Sequence, residues 1–168
     1  MAALKHLISV FRTLFSGVTR NGALVYVVPG ANMEPAITSG SSVYVDNREY
    51  QASPIKRGDV VAYKSPPDVL VMRVVALSGE IVELIEGELH VNGTRISEPY
   101  LDLERAEQEY SQRLAPIRVP EDCVYVLGDF RDMSKDSRFE GPVKISNIVG
   151  RVIKAKHAGF AGEVRRIE

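Results

Sequence analysis

Three carboxylates, three cations and two hydroxyls fall within the eleven residues Gly128-Asp-Phe-Arg-Asp-Met-Ser-Lys-Asp-Ser-Arg138, directly after the apolar run Cys123-Val-Tyr-Val-Leu127. A strand that delivers these groups to one place creates a rigid polar knot. An unpaired charge out of water costs several kcal/mol, so Asp129, Asp132 and Asp136 are expected to bond to Arg131, Arg138 and nearby backbone N–H groups. Composition alone also fits a solvated turn, because Asp, Ser and Gly are ordinary turn residues. The remaining reactive residues give less. The single cysteine, Cys123, sits in a Val/Tyr-rich run and reads as a buried core thiol with no internal disulfide. His6, His90 and His157 are scattered, with no Cys or carboxylate at ligand spacing, so neither a metal nor a cofactor is expected. A net charge of -1 argues against a nucleic-acid partner.

The elements that must position the knot are mostly strands. At 168 residues and 45% hydrophobic content, the chain fits one domain with an elaboration. Over residues 1–22, Leu4, Leu7, Ile8, Phe11, Leu14, Phe15 and Val18 recur at three- and four-residue steps opposite Lys5, His6, Arg12 and Arg20, which predicts an amphipathic helix over 4–18. It is too interrupted by charge to span a bilayer, which needs roughly 20 mostly apolar residues. No acid precedes Glu34, so this basic arm fits a peripheral membrane surface, and equally a membrane protein partner or its own domain.

From 23 to 157 the period shortens. Leu24-Val-Tyr-Val-Val28, Ser42-Val-Tyr-Val45, Val60 to Tyr63, Val69 to Leu77, Gly79 to Leu84, Cys123 to Leu127 and Ile148 to Lys154 read as strands. The loop Pro29 to Gly40, with two prolines and two glycines, is irregular. Asn92-Gly93 between alternating apolar residues predicts a hairpin. Residues 100–116 are charge-dense and read as a short helix or an excursion ended by Pro116 and Pro120, and residues 158–168 as a loose tail.

Four stretches, Pro29-Gly-Ala-Asn-Met-Glu-Pro35, Lys56-Arg-Gly-Asp-Val-Val61, Val71-Met-Arg-Val-Val-Ala-Leu-Ser-Gly79 and Gly128 to Arg138, together resemble in order and spacing the four boxes of the type I signal peptidase family. The resemblance covers roughly 24–157. It implies a mainly β fold of antiparallel sheets, a small inserted β subdomain at about 80–120, and membrane-side cleavage of signal peptides by a serine nucleophile with a lysine base, on the extracytoplasmic side.

The same resemblance shows what this sequence has changed. The nucleophile position directly before Met33 holds Asn32, and the base position directly before Arg73 holds Met72. An amide is not an activated nucleophile and a thioether takes no proton near pH 7. The oxyanion-hole serine is replaced by Gly30, and Phe130 and Met133 stand where asparagines are common, while Ser134 and Asp136, the lysine's supports, remain. Met33, Val28, Val69 and Val71 are the implied peptide-binding residues, and Asp129, Arg131, Asp132 and Arg138 the structural ones.

The principal expectation is therefore an inactive homologue that binds an extended peptide or signal peptide, or a membrane protein partner. The alternatives are an active signal peptidase written here with substituted dyad positions and no anchor, and a structural subunit of a membrane assembly. Ser39, Ser41, Ser42 and Lys64 lie close in sequence to the dyad positions, but nothing in the pattern puts them in the dyad's place.

Overall fold

The computed structural model of the chain describes residues 14–19, 22–48, 50, 53–101, 107–157 and 164–167, and every count or absence below refers to these. Thirteen strands carry the fold: β1 (Leu14–Val18), β2 (Leu24–Val28), β3 (Ser41–Asp46), β4 (Val60–Ser65), β5 (Asp68–Ala76), β6 (Ile81–Ile85), β7 (Glu88–Val91), β8 (Thr94–Arg95), β9 (Leu114–Arg118), β10 (Cys123–Leu127), β11 (Val143–Lys144), β12 (Ile148–Lys156) and β13 (Val164–Arg166). Two one-turn helices, α1 (Glu109–Gln112) and α2 (Ser137–Glu140), flank β9 and the knot. The fold is mainly β and antiparallel. A nine-stranded sheet runs β1-β2-β3-β12-β4-β5-β10-β11, with β13 on β12, and a four-stranded sheet runs β8-β7-β6-β9. The small sheet is spliced into the chain between β5 and β10.

Burial explains the two kinds of strand pattern. β3 alternates buried and half-buried residues, as a strand with one covered face must. In β10 all five residues are buried, because Val124 and Val126 join the large core with Val71, Met72 and Val74, while Cys123, Tyr125 and Leu127 join a second core with the small sheet's Val82, Leu84 and Leu89. β5 and β10 therefore lie between two apolar cores. At the β7–β8 turn, Asn92 and Gly93 have φ of 52° and 76°, the left-handed pair that a two-residue hairpin requires.

Three expectations differ from what is observed. The helix expected over 4–18 falls partly outside the described residues (1–13), and its last five residues are strand β1, paired with β2. Thr19 N–H donates to the Ala23 carbonyl and Gly22 N–H to the Thr19 carbonyl, with Gly22 at φ 82°, so a reverse turn folds this segment back on β2 and pairing overrides the helical spacing. In the 100–116 stretch only Glu109–Gln112 is helical among the described residues, and Pro116 lies inside β9, tolerated because β9 is an edge strand. The tail is not loose throughout: β13 pairs with β12 and Ile167 is buried.

β12 passes close to β3 at Gly150, where an added Cβ would lie 2.4 Å from the Asp46 carbonyl oxygen and 2.9 Å from Asn47 Cα. Backbone cannot give way there without breaking the β3–β12 ladder. Gly150→Ala is expected to lower the unfolding free energy by about 1–3 kcal/mol in urea titration. A loss under about 0.5 kcal/mol, the range of an ordinary surface change, would contradict this close approach.

Candidate functional site

The knot is tied by arginines, each with its own acid. Arg73, in the middle of β5 and 2% exposed, donates from Nε and Nη2 to the two Asp129 oxygens at 2.9 and 2.8 Å, and from Nη1 to the Gly58 carbonyl at 2.9 Å. Its guanidinium also lies 3.9 Å from the centre of the Tyr100 ring. Arg138 holds Asp136 through Nε (2.8 Å) and Nη2 (2.9 Å), and Asp136 caps α2 by accepting from Arg138 N–H. Arg131 donates to the Gly128 carbonyl at 3.0 Å and to Glu98 at 2.6 Å.

The expected partnerships inside the knot are thus partly reassigned. Asp136 does pair with Arg138, but Asp129 pairs with Arg73 and Arg131 with Glu98, while Asp132 accepts from the backbone N–H groups of Glu107 and Gln108. The reason is geometric: a bidentate guanidinium–carboxylate pair needs two parallel bonds, which Arg73 supplies from the neighbouring strand. Arg73, Glu98, Tyr100 and Tyr110 are missing from the sequence-derived site. A lone arginine in a nine-residue strand that is otherwise apolar after Asp68 was the available signal, since a buried cation demands a partner. Burial lowers the Arg73 pKa, but the bonds to Asp129 more than offset this and hold it above the ordinary value; burial raises the Asp129 carboxyl, with Arg73 pulling it back part of the way. Burial, then Glu98, push the Tyr100 phenol well above its usual value.

This frame sets one corner. Gly128, just after β10, has no room for a side chain, because a Cβ there would fall 1.8 Å from Ser134 Oγ and 2.6 Å from the Asn32 carbonyl oxygen. Its N–H donates to Asp136 Oδ2 at 3.0 Å. The single Ser134 hydroxyl proton serves the carbonyl of Phe130 (2.7 Å) or that of Asn32 (3.0 Å), and Phe130 N–H also donates to the Asn32 carbonyl. Asn32 is therefore anchored by its backbone to the knot, with Met33 beside it fully buried. Its side chain points to β5: Nδ2 donates to the Val71 carbonyl at 2.9 Å and lies 3.6 Å from Met72 Sδ. Asn32, Met72 and Ser134 thus come from three distant segments to one place.

Neither an amide nor a thioether ionises or takes up a proton near neutral pH, and the carboxylate of Asp136 is already committed to Arg138. Gly30 is buried beside the corner's loop. Ser39 donates to the Pro29 carbonyl and Ser41 shares a hydrogen bond with Thr38, while the Lys64 side chain is exposed on β4. Among the described residues, no group of three His, Cys, Asp or Glu could hold a metal.

Beside the corner β5 has an open edge. β10 pairs with β5 from Arg73 onward, and between Asp68 and Met72 β5 is paired on the β4 side alone. The Val71 carbonyl meets Asn32, so it faces away from β4, and by the two-residue alternation of an antiparallel ladder Val69 faces the same way. On the opposite wall β1 covers β2 as far as Val27, and the Val28 carbonyl accepts from Gly40 N–H. The side chains of Val28 and Met33 face the core.

Residues 5–155 match the family model for signal peptidase, peptidase S26. The chain belongs to the signal peptidase family. It is similar to a signal peptidase I of Bacillus caldolyticus, 36% identical over 143 residues that span 76% of this chain and 75% of that protein. It also resembles signal peptidase I V of Bacillus subtilis, 32% identical over 78% of this chain and 84% of the relative, and a probable thylakoidal processing peptidase of Arabidopsis thaliana, 35% identical over 75% of this chain but only 36% of the relative. The crystal structure of a signal peptidase I from Enterococcus faecalis superimposes with a TM-score of 0.54 at 31% identity, covering 60% of this chain and 97% of that one. The signal peptidase fold is thereby shown by sequence and by structure.

Removing one member of a buried ion pair strands the other. Asp129→Ala should cost about 3–5 kcal/mol of stability, whereas Arg73→Met with Asp129→Leu should restore most of it. Urea titration of both variants checks this, and a loss below about 1 kcal/mol in Asp129→Ala would mean that the pair does not tie β5 to the knot.

Proposed function

We propose that this chain is a signal-peptidase-like protein without the hydrolytic dyad, which binds an extended peptide, such as a signal peptide, and does not cut it. The observation that carries the reading is the Asn32–Met72 corner: a neutral amide and a thioether meet where the family resemblance calls for a serine and its lysine. A serine hydroxyl is a poor nucleophile until a base takes its proton, so both members are needed together. Gly30 leaves at most a backbone donor at the oxyanion end. In favour of binding stands the β5 edge, where pairing with β10 stops at Arg73 and Val69 offers backbone groups to an added strand.

The names of the relatives favour a second reading, an active signal peptidase whose dyad positions are substituted in this sequence. Assay of the chain against a synthetic peptide with an Ala-X-Ala cleavage site separates the two. The proposal predicts turnover at background, no change for Asn32→Ser alone, and measurable cleavage for Asn32→Ser with Met72→Lys, because each such group is typically worth a factor of about 10²–10⁴ and the two act as a unit. Cleavage by the unmodified chain that is lost on substituting Ser39, Ser41, Ser42 or Lys64 would place a dyad elsewhere and end the proposal.

The family resemblance also implies action at the extracytoplasmic membrane face. We assign residues 4–13, which combine Leu, Ile, Val and Phe with Lys, His and Arg, to a peripheral membrane contact. Among the described residues no helix is long and apolar enough to cross a membrane. Co-sedimentation with anionic vesicles is expected for the intact chain and should fall several-fold for Phe11→Glu. Equal sedimentation of both leaves a protein partner as the target of this arm.

A further inference from the structure

The open edge of β5 is not empty at every point. An added strand gains its affinity from main-chain hydrogen bonds, so it needs the N–H and C=O groups of Val69 and Val71 to be available. The Val71 carbonyl is already bonded, because Asn32 Nδ2 donates to it at 2.9 Å. That donor is a neutral amide N–H, the same chemical group that a peptide backbone would present, at an ordinary N–H···O distance. Its aim is set from behind: the Asn32 carbonyl is held by Phe130 N–H and faces Ser134 Oγ, and Met33 is locked in the core. An asparagine rooted in the knot thus reaches across to the strand edge and imitates one bond of a docked peptide.

We infer that Asn32 is an internal occupant of the β5 edge, which a bound peptide must displace from Val71. The inference rests on the reading that the chain binds extended peptides, and it names the residue that sets how tightly. Displacement exchanges one amide–carbonyl bond for another, so the docked strand gains nothing at Val71, while its bonds at Val69 count in full. Truncating Asn32 frees the Val71 carbonyl for the ligand. The gain should equal the net worth of one neutral hydrogen bond, about three- to tenfold in Kd.

The test is fluorescence anisotropy of a fluorescein-labelled synthetic signal peptide with the full chain, Asn32→Ala and Asn32→Ser, each variant first confirmed as folded by its melting curve. Both variants should bind about three- to tenfold more tightly than the unmodified chain. Equal or weaker binding overturns the proposal and leaves the peptide-binding reading standing, since Asn32 would then be neutral or itself a contact. No binding by any of the three removes both. A second measurement needs no substitution: in ¹⁵N spectra of the unmodified chain, the Asn32 side-chain amide peaks should move upfield at peptide saturation as the Val71 bond is released. Unmoved peaks in a peptide-saturated sample contradict displacement.

Discussion

Arg73 and Asp129 meet almost without solvent, with side chains 3% and 1% exposed, and everything at the corner depends on that pair being complete. A buried guanidinium has to be given acceptors for its donors, and here they are two carboxylate oxygens and the Gly58 carbonyl. The pair therefore links three segments at once: β5, the turn that leads into β4, and the loop that leaves β10. Asp59 holds the second of these in place, accepting from Lys56 N–H and from Tyr50, and facing Arg151 of β12. Because Met72 immediately precedes Arg73, the ion pair also sets where the thioether can lie. A slip of one residue in β5 would carry Met72 to the opposite face of the strand, away from Asn32, and Arg73 away from Asp129.

The corner beyond the pair is built by close approach. Gly128 brings the backbone of the knot against Ser134 and the Asn32 carbonyl, and Asp136 fixes Gly128 by its N–H. Asp136 itself is neutralised by Arg138, whose other donors reach the carbonyls of Arg131 and Tyr110. The scaffold around the site is thus polar and charge-balanced, with Arg131 Nη1 a buried donor without a hydrogen-bond partner among the described residues, whereas the two side chains at its centre are neutral. On that contrast rests the proposed reading, a peptide-binding edge without a proton-transfer pair.

Much of this was legible in the sequence, for identifiable reasons. β2 and β10 match the expected Leu24–Val28 and Cys123–Leu127 residue for residue, because short Val/Tyr-rich runs bounded by turn residues have few other solutions. The Asn92-Gly93 hairpin is a local signal and needed no tertiary information. Non-local pairing was hidden. Leu14, Phe15 and Val18 fit a helical stripe on spacing, and the Thr19–Ala23 turn that pairs them with β2 lies downstream of it. Arg73 and Asp129 are 56 residues apart, and Arg131 and Glu98 are 33 apart, so composition pointed to nearer partners. The meeting of Asn32 and Met72 was approached through the resemblance of whole boxes, since nothing in an Asn or a Met alone marks a site.

Native mass spectrometry of the chain incubated with a synthetic signal peptide reads binding and cutting together. A persistent one-to-one complex carrying the peptide at its full mass is the predicted result. Free shortened peptide, accumulating with time in proportion to protein, would contradict it.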